Sequence, residues 1–183
     1  AFDEELKYLN RRISEMGGLA EQMCADAVHA LVNGDSALAQ KVISDDVILD
    51  NAEREIQEKA IVTIAKRQPM AADLREIIGT LRIAADLERV GDLGKNNAKR
   101  VIAVQGTGVP RKLARGLEHL SELALVQLKE VLDVFANRSA QKAEAIRQRD
   151  EEIDAMYTSL FRELLTYMME DPRNITTCTH LLF

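Results

Sequence analysis

Tryptophan is absent from the 183 residues, and aromatic side chains together supply only 4% of the chain. Three prolines and nine glycines are few for this length, while apolar residues reach 46%, chiefly Leu, Ile, Val and Ala. That combination describes a helical protein with an aliphatic core, long enough for one large domain or two small ones. The six methionines fall among these residues as packing side chains rather than as a cofactor box. The two cysteines, Cys24 and Cys178, stand alone, with no paired spacing and no neighbouring histidine cluster. Neither a disulfide framework nor a zinc motif follows, and reduced thiols are expected.

Basic charge is also in deficit. The net charge is −6, and no basic stripe with interleaved aromatics appears, so nucleic acid is not an expected partner. An acidic chain suits metal cations better. No apolar run approaches the roughly 18 residues that span a bilayer, and no basic-then-apolar leader is visible. A soluble, cytoplasmic chain is therefore expected, although it opens at Ala1 rather than Met, as a trimmed terminus would. No Gly-rich loop is present to cradle phosphate, and no Ser or Cys has a base at plausible spacing. The chain is not expected to be an enzyme.

What is present is helical periodicity. Leu6, Leu9, Ile13, Met16, Ala20, Met23, Ala27 and Ala30 recur at intervals of three and four, predicting a long helix over about 3–33. Gly34 can end it in the left-handed conformation, and Asp35 or Ser36 can cap a second helix running to about Lys66. Pro69 is predicted to stop that helix and open a third, which runs to about Val104. Gly106 to Pro110 reads as a linker. A fourth helix follows from Leu113 to Phe135, then a fifth over about 139–170, ended by Asp171-Pro172.

Against this apolar pattern, two acid pairs stand out. The seam of the third helix reads Ile77, Leu81, Ala84, Glu88, Gly91 and Ala98, with Asp92 one turn beyond Glu88. The second helix repeats the spacing with Asp46, on the stripe of Val42, Leu49 and Ile56, and Asp50. From the break at Gln68-Pro69, Asp50 and Glu88 lie 18 and 19 residues away, and Asp46 and Asp92 lie 22 and 23. In antiparallel helices of equal rise the pairs meet at one height. Four converging carboxylates repel one another unless a cation joins them, so a metal site is predicted between helices two and three. A solvated acidic face, or a metal-free bundle in which the acids pair with Arg82, Arg89 or Lys95, remains the alternative.

An offset of 104 residues aligns Leu9 with Leu113, Ile13 with Leu117, Val42 with Ile146, Asp46 with Asp150, Asp50 with Asp154 and Ile56 with Leu160. The chain thus reads as all-α, two tandem three-helix bundles over 1–105 and 111–183, related by an internal repeat. The counterpart of Glu88 would fall near 191, beyond Phe183, so the second bundle is expected to lack most of its last helix. Its side chains Leu117, Leu120, Ile153, Tyr157, Leu160 and Leu164 are accordingly predicted to be partly uncovered.

The strings Met16-Gly17-Gly18-Leu19, RQPMAADLR, LERVGDLGKN, RDEEIDAMY and LLTYMMEDPRNIT resemble the PhoU family over essentially the whole chain. The resemblance implies a cytoplasmic, homodimeric negative regulator of phosphate uptake and phosphate-starvation signalling. It implies an adaptor between the PstSCAB phosphate transporter, through its ATPase PstB, and the histidine kinase PhoR. It further implies multinuclear iron or zinc clusters, whose first-repeat ligands fall on Asp46, Asp50, Glu88 and Asp92, with Asn96 on the same face. In the second repeat only Asp150 and Asp154 can be matched. Gly94, Lys95 and Asn97 depart from the small or aliphatic residues expected within the motif. A carboxylate-bridged di-metal enzyme is the rival from another class, but such sites use Glu-x-x-His pairs. None of His29, His119 and His180 stands three residues after a glutamate.

Overall fold

The computed structural model describes residues 2–182, with Ala1 and Phe183 outside the described residues. The predicted stripe of the first helix becomes the buried face of α1 (Phe2–Asn33), from Leu6 to Ala30 without a break. Gly34 ends α1 at φ +65°, a conformation glycine adopts without steric penalty. Asp35 then caps α2 (Ser36–Arg67), its carboxylate accepting from the Leu38 backbone N–H at 2.9 Å.

Gln68 closes α2 in the left-handed conformation and donates its N–H to the Ile64 carbonyl. Pro69 does not open the third helix, contrary to the sequence reading. The chain needs the extended Met70 to complete the reversal, and α3 (Ala71–Ala103) begins after it.

Helix α3 packs along both α1 and α2, and that double contact widens its buried face. Ile77, Thr80, Ala84, Leu87, Gly91, Gly94, Ala98 and Val101 are buried. The seam predicted through Leu81 and Glu88 is thus displaced by one residue: Leu87 takes the core position, and Leu81 and Glu88 are half-buried at its edge. Two glycines permit the approach. A Cβ on Gly91 would stand 2.0 Å from Leu49 Cδ2, and one on Gly94 would stand 3.2 Å from the α1 backbone at Met23 and Cys24.

The second unit repeats the first. Its first helix, α4 (Arg111–Ala136), lies along α1, and its Leu128, Leu132 and Phe135 pack on the first core. Gly17 makes room for Leu132, whose Cδ2 would lie 2.6 Å from a Cβ there. Shifting α2 by 104 residues lands on 140–171, the span of α5 (Ala140–Gln148) and α6 (Asp150–Glu170) together. The sequence predicts one helix over that span, but it breaks at Arg149. Gln127 of α4 donates to the Ile146 carbonyl, and the Arg149 N–H turns back to the same carbonyl at 3.0 Å. Asp150, Glu151 and Glu152 then occupy the first turn of α6, where negative charge favours a helix start.

After Asp171 a 3-10 turn (Pro172–Asn174) leads into α7 (Ile175–Leu182). Leu160 and Leu164, predicted to be partly uncovered, are buried with Leu113, Cys178 and Leu181, because α7 folds back over them. Leu117, Leu120 and Ile153 are half-buried, and Tyr157 is 48% exposed. A groove of about 440 Å³ remains beside them, lined by Leu120, Leu128 and Phe161 opposite Val28 and Leu93.

The two kinds of helical glycine give a test. Gly94→Val forces α3 away from the α1 backbone and is expected to cost about 1–3 kcal/mol in urea unfolding. Gly18, which has open space at its Cβ position, behaves oppositely. Gly18→Ala is expected to stabilise α1 by about 0.5–1 kcal/mol. Equal effects of the two substitutions would show that Gly94 does not set the α1–α3 approach.

Candidate functional site

Close packing of α3 on α2 brings the acid pairs to a common level. Asp46 is buried on α2, 8% exposed, because its position on the stripe points it at α3. Across from it, the Lys95 ammonium lies 2.5 Å from Asp46 Oδ2 and 2.6 Å from Asp92 Oδ1. One cation thus joins the upper members of both pairs, and it belongs to the chain itself. The two carboxylates accept its hydrogen bonds and hold Lys95 firmly in its charged form.

The lower members are related differently. Burial raises the proton affinity of Glu88, and the nearby charges of Asp92, Glu53 and Asp50 raise it further. Asp92 shifts the other way, below the usual carboxylate range, chiefly through its hydrogen bond from Lys95. Glu88 and Asp92, one turn apart, therefore differ because burial dominates at Glu88 while Asp92 touches the ammonium, and a side-chain hydrogen bond between them raises the one and lowers the other. Neither Arg82 nor Arg89 pairs with these acids among the described residues.

Where the side chains stand decides what they can hold. Asp46, Asp50, Glu88 and Asp92 sit along one α2–α3 seam, but Lys95 fills the space between Asp46 and Asp92. Among the described residues, no three Asp, Glu, His or Cys side chains gather closely enough to ligate a metal ion. The donor set as arranged does not fit an iron or zinc cluster. Asn96 is exposed on α3, turned off the seam that Lys95 enters. Asp150 and Asp154 are exposed on the first turns of α6, away from this seam.

Glu53 is a member of the cluster that sequence reasoning passed over. Its signal was present, since Glu53 follows Asp46 by seven residues, two helical turns along the same face. Lys95 stands in the mirror relation to Glu88 on α3, also seven residues on.

The opposite shifts predict opposite mutational effects in chelator-treated protein. Folding raises the Glu88 pKa, so its negative charge costs stability as pH rises through the carboxylate range. Glu88→Gln should therefore stabilise the protein at pH 7, with the gain vanishing at acid pH where the carboxyl is protonated in both states. Folding lowers the Asp92 pKa, so its stabilisation is present above the carboxylate range and lost as pH falls. Asp92→Asn should destabilise at pH 7. Solvent screening keeps each effect below about 1 kcal/mol, measurable by urea unfolding at several pH values. Effects of the same sign would contradict this account of the site.

Comparison with known proteins fits this architecture. The family model for the PhoU domain matches residues 13–101 and 117–183, the two repeated units. The "phosphate-specific transport system accessory protein PhoU homolog" of Rhizobium meliloti (strain 1021) is 85% identical over all 183 residues, covering 77% of that protein. The protein of the same description from Caulobacter vibrioides (strain NA1000 / CB15N) is 44% identical over the whole chain and 80% of its own length. The crystal structure of PhoU from Pseudomonas aeruginosa superposes with a TM-score of 0.94 at 37% identity, covering 100% of this chain and 87% of the other. With both helical units matched and such identity along the full length, the chain belongs to the PhoU family.

Proposed function

We propose that this chain is an accessory regulator of a phosphate-specific transport system and acts in the cytoplasm by binding protein partners. The observation that carries the reading is its 85% identity, over all 183 residues, with a relative described as a phosphate-specific transport system accessory protein. In this reading it restrains the phosphate-starvation response by linking the transporter ATPase PstB to the histidine kinase PhoR, as a homodimer. Support from the fold is of a different kind. The molecule offers long helical faces, on which recognition by packing is natural.

One such face lies at the α2–α3 turn. Met70 is 80% exposed there, with Leu74 and Ile78 exposed one and two turns into α3; Lys66, Arg67 and Arg75 flank the turn in sequence, Arg67 paired with Glu5 of α1. Exposed apolar side chains rimmed by charge are what a protein contact requires. Gln68 and Ala71 both hold positive φ at this turn, a strain of about 1–2 kcal/mol each.

A metal at Asp46, Asp50, Glu88 and Asp92, iron or zinc in a multinuclear cluster, forms part of the proposal only as a state in which Lys95 has withdrawn. Asp150 and Asp154 would contribute to a second centre only with ligands from elsewhere. The alternative, a metal-free adaptor, is favoured by the Lys95 bridge itself.

The test is co-purification of PstB and PhoR with the tagged protein. Both are expected to be retained, and Met70→Asp is expected to weaken capture about tenfold or more, as loss of an interface anchor does. Circular dichroism should be unchanged. Retention of neither partner would end the adaptor reading, and undiminished capture by the variant would remove the turn from the contact.

A further inference from the structure

Helix α2 carries a second apolar pattern that its core does not use. Val42, Leu49, Ile56 and Ala60 belong to the buried stripe, yet Val47, Ile48, Ile61 and Val62 are 56, 49, 62 and 41% exposed. Single exposed apolar side chains are ordinary on a helix. Here they come as two adjacent pairs 14 residues apart, close to four full turns, so both pairs share the face of α2 opposite its buried stripe. Between them the same face carries Asn51, Arg54 and Glu58, all exposed. Glu55, at the edge of this face, is already engaged by Tyr8 and Arg12 of α1. The order of the two pairs is reversed, Val-Ile at 47–48 and Ile-Val at 61–62. Counted outward from the bond between Arg54 and Glu55, Val47 matches Val62, Ile48 matches Ile61, and Ser44 matches Ala65. A face whose apolar pattern is the same from either end is complementary to itself under a two-fold axis.

We infer that two copies of this chain pair through the outer faces of α2, with the helices antiparallel about a two-fold axis that passes beside Arg54 and Glu55. The inference deepens the homodimer element of the functional reading above and rests on it. In this register Val47 and Ile48 of each copy pack against Ile61 and Val62 of the other, which closes an apolar layer at both ends of the contact. Asn51 faces Glu58 of the other copy. Arg54 comes within one turn of that same Glu58, so opposite charges alternate across the centre. A parallel pairing would instead set Arg54 against Arg54 and Glu58 against Glu58, an arrangement that like charges oppose. The charges thus choose the register, and the apolar ends supply the adhesion. From Ser44 to Ala65 the face is about 32 Å long, and joining two such faces buries on the order of 1,000 Å² in total, the lower end for a specific interface. The dimer is therefore reversible, dissociating at micromolar concentration.

The experiment follows the mass of the full chain by light scattering from about 1 to 100 μM, the range in which a contact of this size titrates. A monomer is expected at the low end and a dimer at the high end. Ile48→Asp and Ile61→Asp, both at exposed positions, are each expected to raise the dissociation constant about tenfold or more, with the circular dichroism spectrum unchanged. Charge reversal tests the register. Arg54→Glu alone and Glu58→Arg alone each set like charges together and should weaken the dimer, whereas the two combined should restore it. A parent that stays monomeric over the whole range would overturn the inference together with the homodimer element. A dimer untouched by Ile48→Asp, Ile61→Asp and the single charge reversals would overturn the inference and leave the homodimer element with another interface. In that case, loss of partner capture by Ile61→Asp would assign the face to a different protein. Failure of the combined reversal to restore what the single reversals remove would overturn the antiparallel register. Should an aspartate variant fail to fold, the charge reversals decide.

Discussion

Everything in the first unit depends on how closely α3 approaches its two neighbours. A helix that must touch both α1 and α2 needs one broad face of small residues, and Ala84, Gly91, Gly94 and Ala98 provide it. At Gly94 the limit is backbone against side chain at 3.2 Å, so no other residue type fits without movement of α1. This approach sets the distance at which charged side chains of α2 and α3 face one another. Had α3 carried larger residues, Lys95 and Asp46 would be separated by solvent, and their interaction would weaken with the higher dielectric. The glycines and the ion bridge are one design seen at two levels.

The helices were legible because their signals are local and redundant. The α1 stripe consists of eight apolar positions at helical spacing, and each is buried. Asp35 reads as a cap because a carboxylate before a helix has one obvious use, and it accepts from Leu38. The repeat was legible for the same reason, since an offset common to two helices constrains many residues at once. The failures are all non-local. Arg149 lies in a sequence that propensity alone would leave helical, and at the break a side chain from α4 meets the Ile146 carbonyl. Pro69 is a good first helical residue in isolation, but the reversal of the chain required an extended residue after it.

The acid site was legible in part. Counting residues from the turn placed Asp46 opposite Asp92, and the structure puts a shared partner between them. Counting could not choose which cation that partner is, because Arg82, Arg89 and Lys95 all lie on α3 within reach of an acid. The choice depends on the rotation of α3, which the predicted seam misplaced by one residue. That one-residue rotation, about 100° around the helix, turns Leu87 inward, leaves Glu88 at the edge and brings Lys95 onto the seam. In the second unit the same acid spacing sits at a helix start rather than mid-helix. Asp150 there is exposed in the first turn of α6, so equal spacing has produced a different environment.

The contact of α4 with α1 through Gly17 bears on how the molecule comes into being. The first three helices leave the ribosome as a unit with most of its core, yet the face of α1 around Gly17 has no cover from within that unit. Leu128, Leu132 and Phe135 supply the cover, and they emerge only after the linker and most of α4 have been synthesised. At about 5–20 residues per second, roughly 30 residues of synthesis separate the last turn of α3 from Phe135, an interval of a few seconds. For that interval the nascent chain displays an apolar groove shaped for a helix. The repeat that follows in sequence is therefore also the piece that finishes the one before it.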